Sequence, residues 1–285
     1  MIILNKNFTG IEKNISKIQE VKGRSLWHDA RVRFFKNKAA VFSLITLFLV
    51  ILFSFLGPIF AKWSNEEIDW SVLGDISTLG YPSFESGHFF GTDELGRDLF
   101  SRVIQGTKIS LMVGIVGALI AVVVGTIYGA TAGYFGGKID SIMMRIVDIL
   151  MSIPYMFVLI LLLVIFGRSI LMLFIGIGLV SWLDMARIVR GQTLSIKKKE
   201  YVEAAITIGV SHFTIIRRHI IPNLLGVVAV YATLLVPGMI LTESFISFLG
   251  LGVQEPNTSW GALISEGAGT MRYGTLWQLL FPLFF

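Results

Sequence analysis

The side chains that could do chemistry in this chain are concentrated in a polar, basic segment, residues 197–222, between two long apolar runs. The segment holds a carboxylate, two small helix-forming residues, a glycine and a proline at fixed spacing: Glu203, Ala204, Ala205, Gly209 and Pro222. Glutamate and alanine favour a helix, and a glycine commonly ends one. A carboxylate on such a slim helix can enter a groove and pair with a basic partner. The pattern therefore predicts a docking element rather than a catalytic centre.

A second short helix is predicted directly after the glycine. Ser211 is suited to its N-cap, and the helix would end at the pair Arg217 and Arg218, before Pro222. Two helices joined at Gly209 would form a compact elbow. The alternative is an ordinary polar loop between two membrane spans, in which lysines and arginines serve only to orient the protein.

Nucleotide chemistry is not expected in this chain. Gly137 and Lys138 are followed by Ile139, where a phosphate-binding loop needs Ser or Thr, and Ala132 occupies the position of its first glycine. The chain is therefore expected to bind no cofactor, so that any ATP and Mg²⁺ would be held by a partner. The sequence has no cysteine, which excludes disulfides, thiol catalysis and zinc–thiolate sites.

Histidines and membrane carboxylates give no further catalytic signal. The four histidines fall in different polar segments without metal-ligand spacing, and no metal site is expected: His28, His88, His212 and His219. Asp148, Asp184 and Glu243 lie near the ends of predicted spans. Intramembrane carboxylates are functional candidates by default, but an interfacial position is favoured here over a proton relay.

Composition indicates the class of protein that carries the segment. Of 285 residues, 54% are hydrophobic and only 15% charged, whereas a soluble domain carries about 25% charged residues. Several uncharged runs reach the roughly 20 residues that span a bilayer. We therefore predict an all-α polytopic membrane protein. The net charge of +5 does not imply nucleic acid, because membrane proteins collect Lys and Arg on their cytoplasmic side.

Four regions are predicted along the chain. They are a cytoplasmic leader with an interfacial helix (1–38), a first span (39–61), an external loop (62–108) and a core of further spans (109–285). Thr92 is expected to cap a short helix near the end of the external loop.

The core is divided by polar segments and prolines. The prediction is span two (109–135), a polar link (138–148), span three (149–167, kinked at Pro154), span four (170–183), span five (220–242, interrupted at Pro237), a polar excursion (243–275) and the start of span six. That last apolar run has ten residues, about half the hydrocarbon thickness. A truncated sixth span is therefore expected.

Small residues recur at every fourth position along span two. They form one narrow stripe on a helix: Gly117, Ala121, Gly125, Gly129 and Gly133. Such a stripe lets another helix approach closely. The alternative, a stripe that lines a substrate path, is less favoured.

Charge counting gives the orientation. With the N-terminus in the cytoplasm, 18 of the 24 Lys and Arg residues lie inside and 6 outside, which satisfies the positive-inside rule. The elbow then lies in the cytoplasm.

Several sequence strings carry a family resemblance that covers nearly the whole chain. They are Glu203-Ala-Ala-x-x-x-Gly209, Gly91-Thr-Asp-Glu-Leu-Gly-Arg-Asp98, Arg218-His-Ile-Ile-Pro-Asn223 and Ser247-Phe-Leu-Gly-Leu-Gly252. Together they resemble the permease subunits of ABC transporters in the peptide/nickel family, and most closely its oligopeptide branch. His219 departs from the general pattern, which has an aliphatic residue there.

The resemblance implies the transmembrane domain of a type I ABC importer, nominally with six spans, in a bacterial cytoplasmic (inner) membrane. It implies a second homologous permease, two ATPases and an external peptide-binding protein as partners, and no enzymatic activity in this chain. Glu203, Ala204, Ala205 and Gly209 would couple to the ATPases. Residues 62–108 and 243–275 would meet the binding protein.

Other functions remain open from the sequence. Import of dipeptides or nickel fits the same family. A secondary transporter or channel would need no elbow and would favour mid-membrane charge pairs. A membrane enzyme lacks a nucleophile–base pair, and a non-transporting receptor or scaffold would not need a glycine-striped bundle.

Overall fold

The computed structural model describes residues 26–285, and the regular secondary structure of this part is helical. The helices are α1 (Leu26–Lys36), α2 (Lys38–Phe60), α3 (Ile76–Leu79), α4 (Leu99–Phe135), α5 (Gly137–Ser152), α6 (Tyr155–Phe166), α7 (Ile170–Ile196), α8 (Glu200–Thr207), α9 (His212–Ile215), α10 (Ile221–Phe248), α11 (Trp260–Thr270) and α12 (Trp277–Phe284). The all-α prediction is confirmed for these residues.

The chain divides into two compact units, one ending at Ile51 and one comprising Leu52–Phe285. The predicted leader lies in the first unit. Its residues 1–25 are outside the described part of the chain, and its remainder forms α1. Most side chains of α2 are exposed, as expected of an apolar helix that faces lipid.

Helix α4 begins ten residues earlier than the predicted second span, so the end of the predicted external loop is helical. Asp98 is its N-cap, because its side chain accepts a hydrogen bond from the backbone N–H of Ser101 at 2.9 Å. Thr92 was expected to cap a helix and does not. It is fully buried, and its carbonyl accepts hydrogen bonds from two side chains of α12, Trp277 and Gln278.

The predicted polar link before the third span is wrong, because those residues belong to α5. The break at Pro154 is confirmed. Helices α5 and α6 meet there at an angle of 80°, since proline disfavours helical backbone in the residue before it and cannot complete the ladder of hydrogen bonds.

Two other prolines do not interrupt the chain as predicted. Helix α9 continues through a π-helical turn, Ile216–Ile220, directly into α10. Pro222 lies in the first turn of α10, where a missing N–H is tolerated. Pro237 lies inside the same helix, and α10 extends to Phe248, so the predicted polar excursion starts as helix.

Within residues 26–285, four helical stretches are long and apolar enough to cross a membrane, and the bent pair α5–α6 can supply a fifth span. Helix α4 packs along α7 and also contacts α10. Near one end of this bundle, α11 packs against α12 and α10. The result is a helical membrane core in which the elbow and the loop preceding α4 are fixed by long helices.

Candidate functional site: an elbow and an ion-pair clasp

The elbow, which comprises α8, Gly209 and α9, has one buried face. Val202 and Ala205 are buried there at 0% and 5% exposure, in a cluster with Ile215, Ile220 and Leu224. The buried face therefore fixes α8 against α9 and the start of α10. Ala205, expected from the sequence to keep the helix slim for a partner, faces this interior instead.

Gly209 makes the turn of the elbow. Its φ is +80°, a left-handed conformation that costs glycine little and other residues more. Its N–H donates to the carbonyl of Ile206 at 3.0 Å, and the N–H of Val210 donates to that of Ala205 at 3.0 Å. These two bonds form a Schellman motif. The predicted helix end is confirmed.

The second half of the elbow is capped and anchored to α4. Ser211 accepts a hydrogen bond from the N–H of Thr214, which confirms the predicted N-cap. The hydroxyl of Tyr134, near the end of α4, lies 2.7 Å from Nδ1 of His212. The ammonium of Lys197 lies 5.7 Å from the centre of the Tyr134 ring. The elbow is therefore attached to the longest packed helix of the core.

The opposite face of the elbow is open. Glu203 and Ala204 are exposed, and large apolar side chains flank them: Tyr201 (43% exposed), Ile208 (79%) and Phe213 (73%). Ile208 and Phe213 were not predicted as part of the site, although apolar residues beside a glycine turn could have indicated a contact surface. The elbow therefore has a buried, fixed base and an exposed face with apolar side chains and two carboxylates, Glu200 and Glu203, which suits the docking of another protein.

The small-residue stripe of α4 faces other helices. A Cβ on Gly129 would lie 2.3 Å from the carbonyl oxygen of Ala186 in α7, and one on Gly133 would lie 2.9 Å from that of Arg190. Towards the other end of the stripe, a Cβ on Gly117 would lie 2.9 Å from the sulfur of a methionine in α10. These contacts favour helix packing over a path along the stripe.

Gly129→Val is expected to destabilise the α4–α7 contact, because the backbone of α7 cannot move away as a flexible side chain could. We expect a loss of about 1–3 kcal/mol, measured as a lower unfolding midpoint in detergent. Gly191→Val is the control, since Gly191 is also helical and a Cβ there meets nothing within 4 Å. Equal midpoints for the two variants would contradict the packing role.

An ion-pair clasp lies at the start of α4. Its members are Asp93, Arg97, Arg102 and Glu266. Arg102 is 2% exposed and bridges Asp93 to Glu266, with its two terminal nitrogens 2.9 and 3.1 Å from the Glu266 oxygens. Asp93 also accepts from Nε of Arg97 at 2.7 Å. The clasp therefore joins the loop before α4, α4 itself and α11.

His88 reinforces the same region. Its ring is buried, with Nδ1 2.9 Å from Asp98 and Nε2 3.3 Å from Asp69. Burial alone would lower the pKa of His88, but the hydrogen bonds that its ring donates to the carboxylates of Asp98 and Asp69 raise the pKa above its ordinary value. The raised pKa favours the imidazolium, which holds together two acidic segments. In residues 26–285, no group of three His, Asp or Glu side chains is arranged to hold a metal ion.

Glu243 lies near the end of a helix that can cross the membrane, as predicted, and its side chain is buried. It lies within α10 at 0% exposure. Its carboxyl accepts hydrogen bonds from Ser110 of α4 at 3.0 Å and from Ser247 at 2.6 Å. Ser110 in turn accepts from the backbone N–H of Trp260 at 3.2 Å. The carboxyl therefore joins α4, α10 and the start of α11 inside the protein.

Two family models match the sequence. "Binding-protein-dependent transport system inner membrane component" matches residues 121–285, which include the elbow, and "N-terminal TM domain of oligopeptide transport permease C" matches residues 25–74. The first match covers more than half of the chain.

Curated relatives match almost the full length. An oligopeptide transport system permease protein of Haemophilus influenzae is 55% identical over 285 residues, covering 99% of this chain and 90% of the relative. That of Escherichia coli is 57% identical over 282 residues, covering 99% and 91%. A dipeptide transport system permease protein of Bacillus subtilis is 44% identical over 276 residues, covering 96% and 84%.

A solved structure shares the fold. It is the inward-facing MetNI methionine ABC transporter, with a TM-score of 0.52 and 17% identity, covering 64% of this chain and 87% of that one. The predicted fold class, an ABC importer transmembrane domain, is confirmed.

Proposed function

Because the chain belongs to the family of binding-protein-dependent transport system inner membrane components, we propose that it is the permease subunit that carries oligopeptides through the membrane in an ABC importer. Members of this family are non-catalytic transport subunits that work with ATPase and permease partners. The oligopeptide cargo is supported by the relatives at 55% and 57% identity.

The elbow is the proposed coupling site to the ATPases. The observation that supports this proposal is that one face of the elbow is buried and the other is exposed. Val202 and Ala205 are buried in the core, whereas Glu203 and Ala204 are exposed among apolar side chains. A force on the exposed face would be transmitted to α4 and α10 rather than absorbed by a loop. Gly209 sets the angle of the elbow, and Pro222 lies in the first turn of α10, the helix that would carry the motion.

The proposed assembly contains a second homologous permease, two ATPases that bind ATP and Mg²⁺, and an external peptide-binding protein. The proposed orientation places the N-terminus and the elbow in the cytoplasm. It is supported by the excess of Lys and Arg in the segments on that side. In this orientation residues 62–98, which precede α4, and the segment that contains α11 face the binding protein.

Glu203→Arg tests the coupling site. We expect retention of co-expressed ATPases to fall about tenfold, since reversing a charge at the edge of a contact replaces an attraction by a repulsion. Retention is measured by co-purification from detergent-solubilised membranes, with peptide uptake into vesicles as a second readout. Glu66→Arg, the same change at an exposed glutamate before α3, is the control and should retain the ATPases.

The cargo is tested in the same vesicles. We expect ATP-dependent uptake of labelled oligopeptides when the binding protein is supplied. Uptake of dipeptides but not longer peptides would assign the chain to the function named for the Bacillus subtilis relative. Uptake of nickel alone would exclude a peptide cargo, and uptake without ATP would contradict the importer.

A further inference from the structure

A groove of about 480 Å³ lies where the end of α2 meets the first turns of α4. One wall comes from Pro58, Ala61 and residues 62–65, and the other from side chains of α4 between Ser101 and Lys108. All of these residues belong to the unit Leu52–Phe285. The groove is separate from both the elbow and the ion-pair clasp.

The groove is positively charged. Lys62 and Lys108 line it, and no lining residue is acidic. Two glutamates follow the groove along the chain: Glu66 is exposed, and Glu67 accepts a hydrogen bond from the backbone N–H of Ser64. Within the described part of the chain, Lys108 has no ion-pair partner, and Lys62 donates to the carbonyl of Ser86 at 3.1 Å. The two ammonium groups are therefore available to an anion.

Trp63 forms a fixed wall of the groove. Its indole N–H donates to the carbonyl of Ser86 at 3.0 Å, and its own carbonyl accepts from the hydroxyl of Ser101 at 2.7 Å. Its ring stacks on His88 with the centroids 4.8 Å apart. Because these contacts hold the backbone and the ring, the wall is formed before any ligand binds, which reduces the entropic cost of binding.

The position of the groove matches the boundary between membrane and water. Helix α2 ends at Phe60, just before Lys62, and the uncharged part of α4 begins after Lys108. Trp and Lys residues concentrate at this level in membrane proteins. Pro58 and Ala61 lie on the membrane side of Lys62 along the chain, and they give the groove an apolar floor.

We propose that this groove binds an anionic phospholipid, with the headgroup phosphate between Lys62 and Lys108 and the start of an acyl chain on Pro58 and Ala61. A soluble anion would use the lysines but not the apolar floor. A lipid uses both, and the surrounding bilayer supplies it. The bound lipid would fix the junction of α2 and α4, on the face that carries Trp63.

The test uses the full chain, purified in detergent and exchanged into mixed micelles with equal amounts of phosphatidylglycerol and phosphatidylcholine. Retained lipid is counted by native mass spectrometry. We expect wild-type protein to enrich phosphatidylglycerol. Each lysine near a lipid surface contributes about fivefold in affinity, so Lys62→Gln/Lys108→Gln should lower the retention of phosphatidylglycerol by about 25-fold. The double variant Lys138→Gln/Lys198→Gln, which removes two exposed lysines elsewhere, should retain it.

Asn65→Glu adds a negative charge to the groove without altering α4, and it should lower retention several-fold even if the lysine variant folds poorly. Equal retention of the two lipids by wild type, or wild-type retention in Asn65→Glu, would overturn the proposal. Displacement by inorganic phosphate would assign the groove to a soluble anion. Loss of the lipid when a second permease copurifies would assign it to a subunit interface. Either result overturns the lipid site.

Discussion

Gly209→Pro is expected to abolish ATP-driven peptide uptake while leaving the membrane helices assembled. Proline fixes φ near −65°, whereas the elbow requires +80° at this position. Proline also removes the N–H that donates to Ile206 at 3.0 Å. A proline that the backbone cannot accept costs about 3 kcal/mol or more, which corresponds to roughly a hundredfold loss in the population of the elbow.

The measurement is peptide uptake into vesicles, with ATPase co-purification from the same membranes. Gly209→Ala provides a graded comparison, since a left-handed alanine costs only about 1 kcal/mol. Gly191→Ala is the control, because a Cβ at that helical position meets nothing within 4 Å. Normal uptake by Gly209→Pro at normal expression would exclude the elbow as the coupling site. If Gly209→Pro does not fold, the loss of uptake could reflect a purely structural role of Gly209. Peptide uptake by Gly209→Ala would then decide between a coupling role and a structural role.

The local features of the elbow could be predicted because they depend on neighbouring residues. The glycine end of α8 and the Ser211 cap are both made by hydrogen bonds between groups at most five positions apart. Which of the two alanines is exposed could not be predicted. Ala205 is turned inward by contacts with Ile220 and Leu224, and the sequence pattern does not reveal to which side a short helix packs.

In the membrane core, too, some features could be predicted from the sequence and others could not. Counting apolar residues found the spans but not the helix ends, because a helix continues into water wherever a cap or a packing partner supports it. Asp98 extends α4 beyond the apolar run through its cap on Ser101. Pro237 was predicted to break a helix that α10 continues without interruption. In a membrane, neighbouring helices and side chains can satisfy the backbone groups that a proline leaves free.

The ion-pair clasp was beyond prediction from one sequence. Asp93 and Arg97 are neighbours in a recognisable motif, but Arg102 and Glu266 are 164 positions apart. Only the return of α11 to the start of α4 brings them together. The motif at residues 91–98 therefore also has a structural role, since it holds Arg102 and presents the carbonyl of Thr92 to Trp277 and Gln278.

Arg102→Met is expected to cause the largest loss of stability in this part of the molecule. The guanidinium is 2% exposed, and removing one member of a buried ion pair costs about 3–5 kcal/mol. We expect about 3 kcal/mol, the lower end of that range, because Asp93 keeps Arg97 and the Glu266 side chain is 40% exposed. The unfolding midpoint in detergent should fall by roughly 6 °C or more. The control is Arg168→Met, at an exposed arginine that donates to the carbonyl of Gly250, and this variant should change the unfolding midpoint little.

The double variant Arg102→Met/Asp93→Asn separates charge from volume. Methionine fills much of the space of the arginine side chain, so the remaining cost comes from the uncompensated carboxylates. If charge dominates, neutralising Asp93 should recover part of the lost midpoint, since removing both partners of a buried pair is often less harmful than removing one. If the double variant is less stable than Arg102→Met alone, Asp93 stabilises mainly through its ion pair with Arg97, because asparagine can still accept from the N–H groups of Leu95 and Arg97. In that case the loop before α4 would fold through its own contacts and then bind Arg102, and the ion pair with Arg102 would not be what orders the loop.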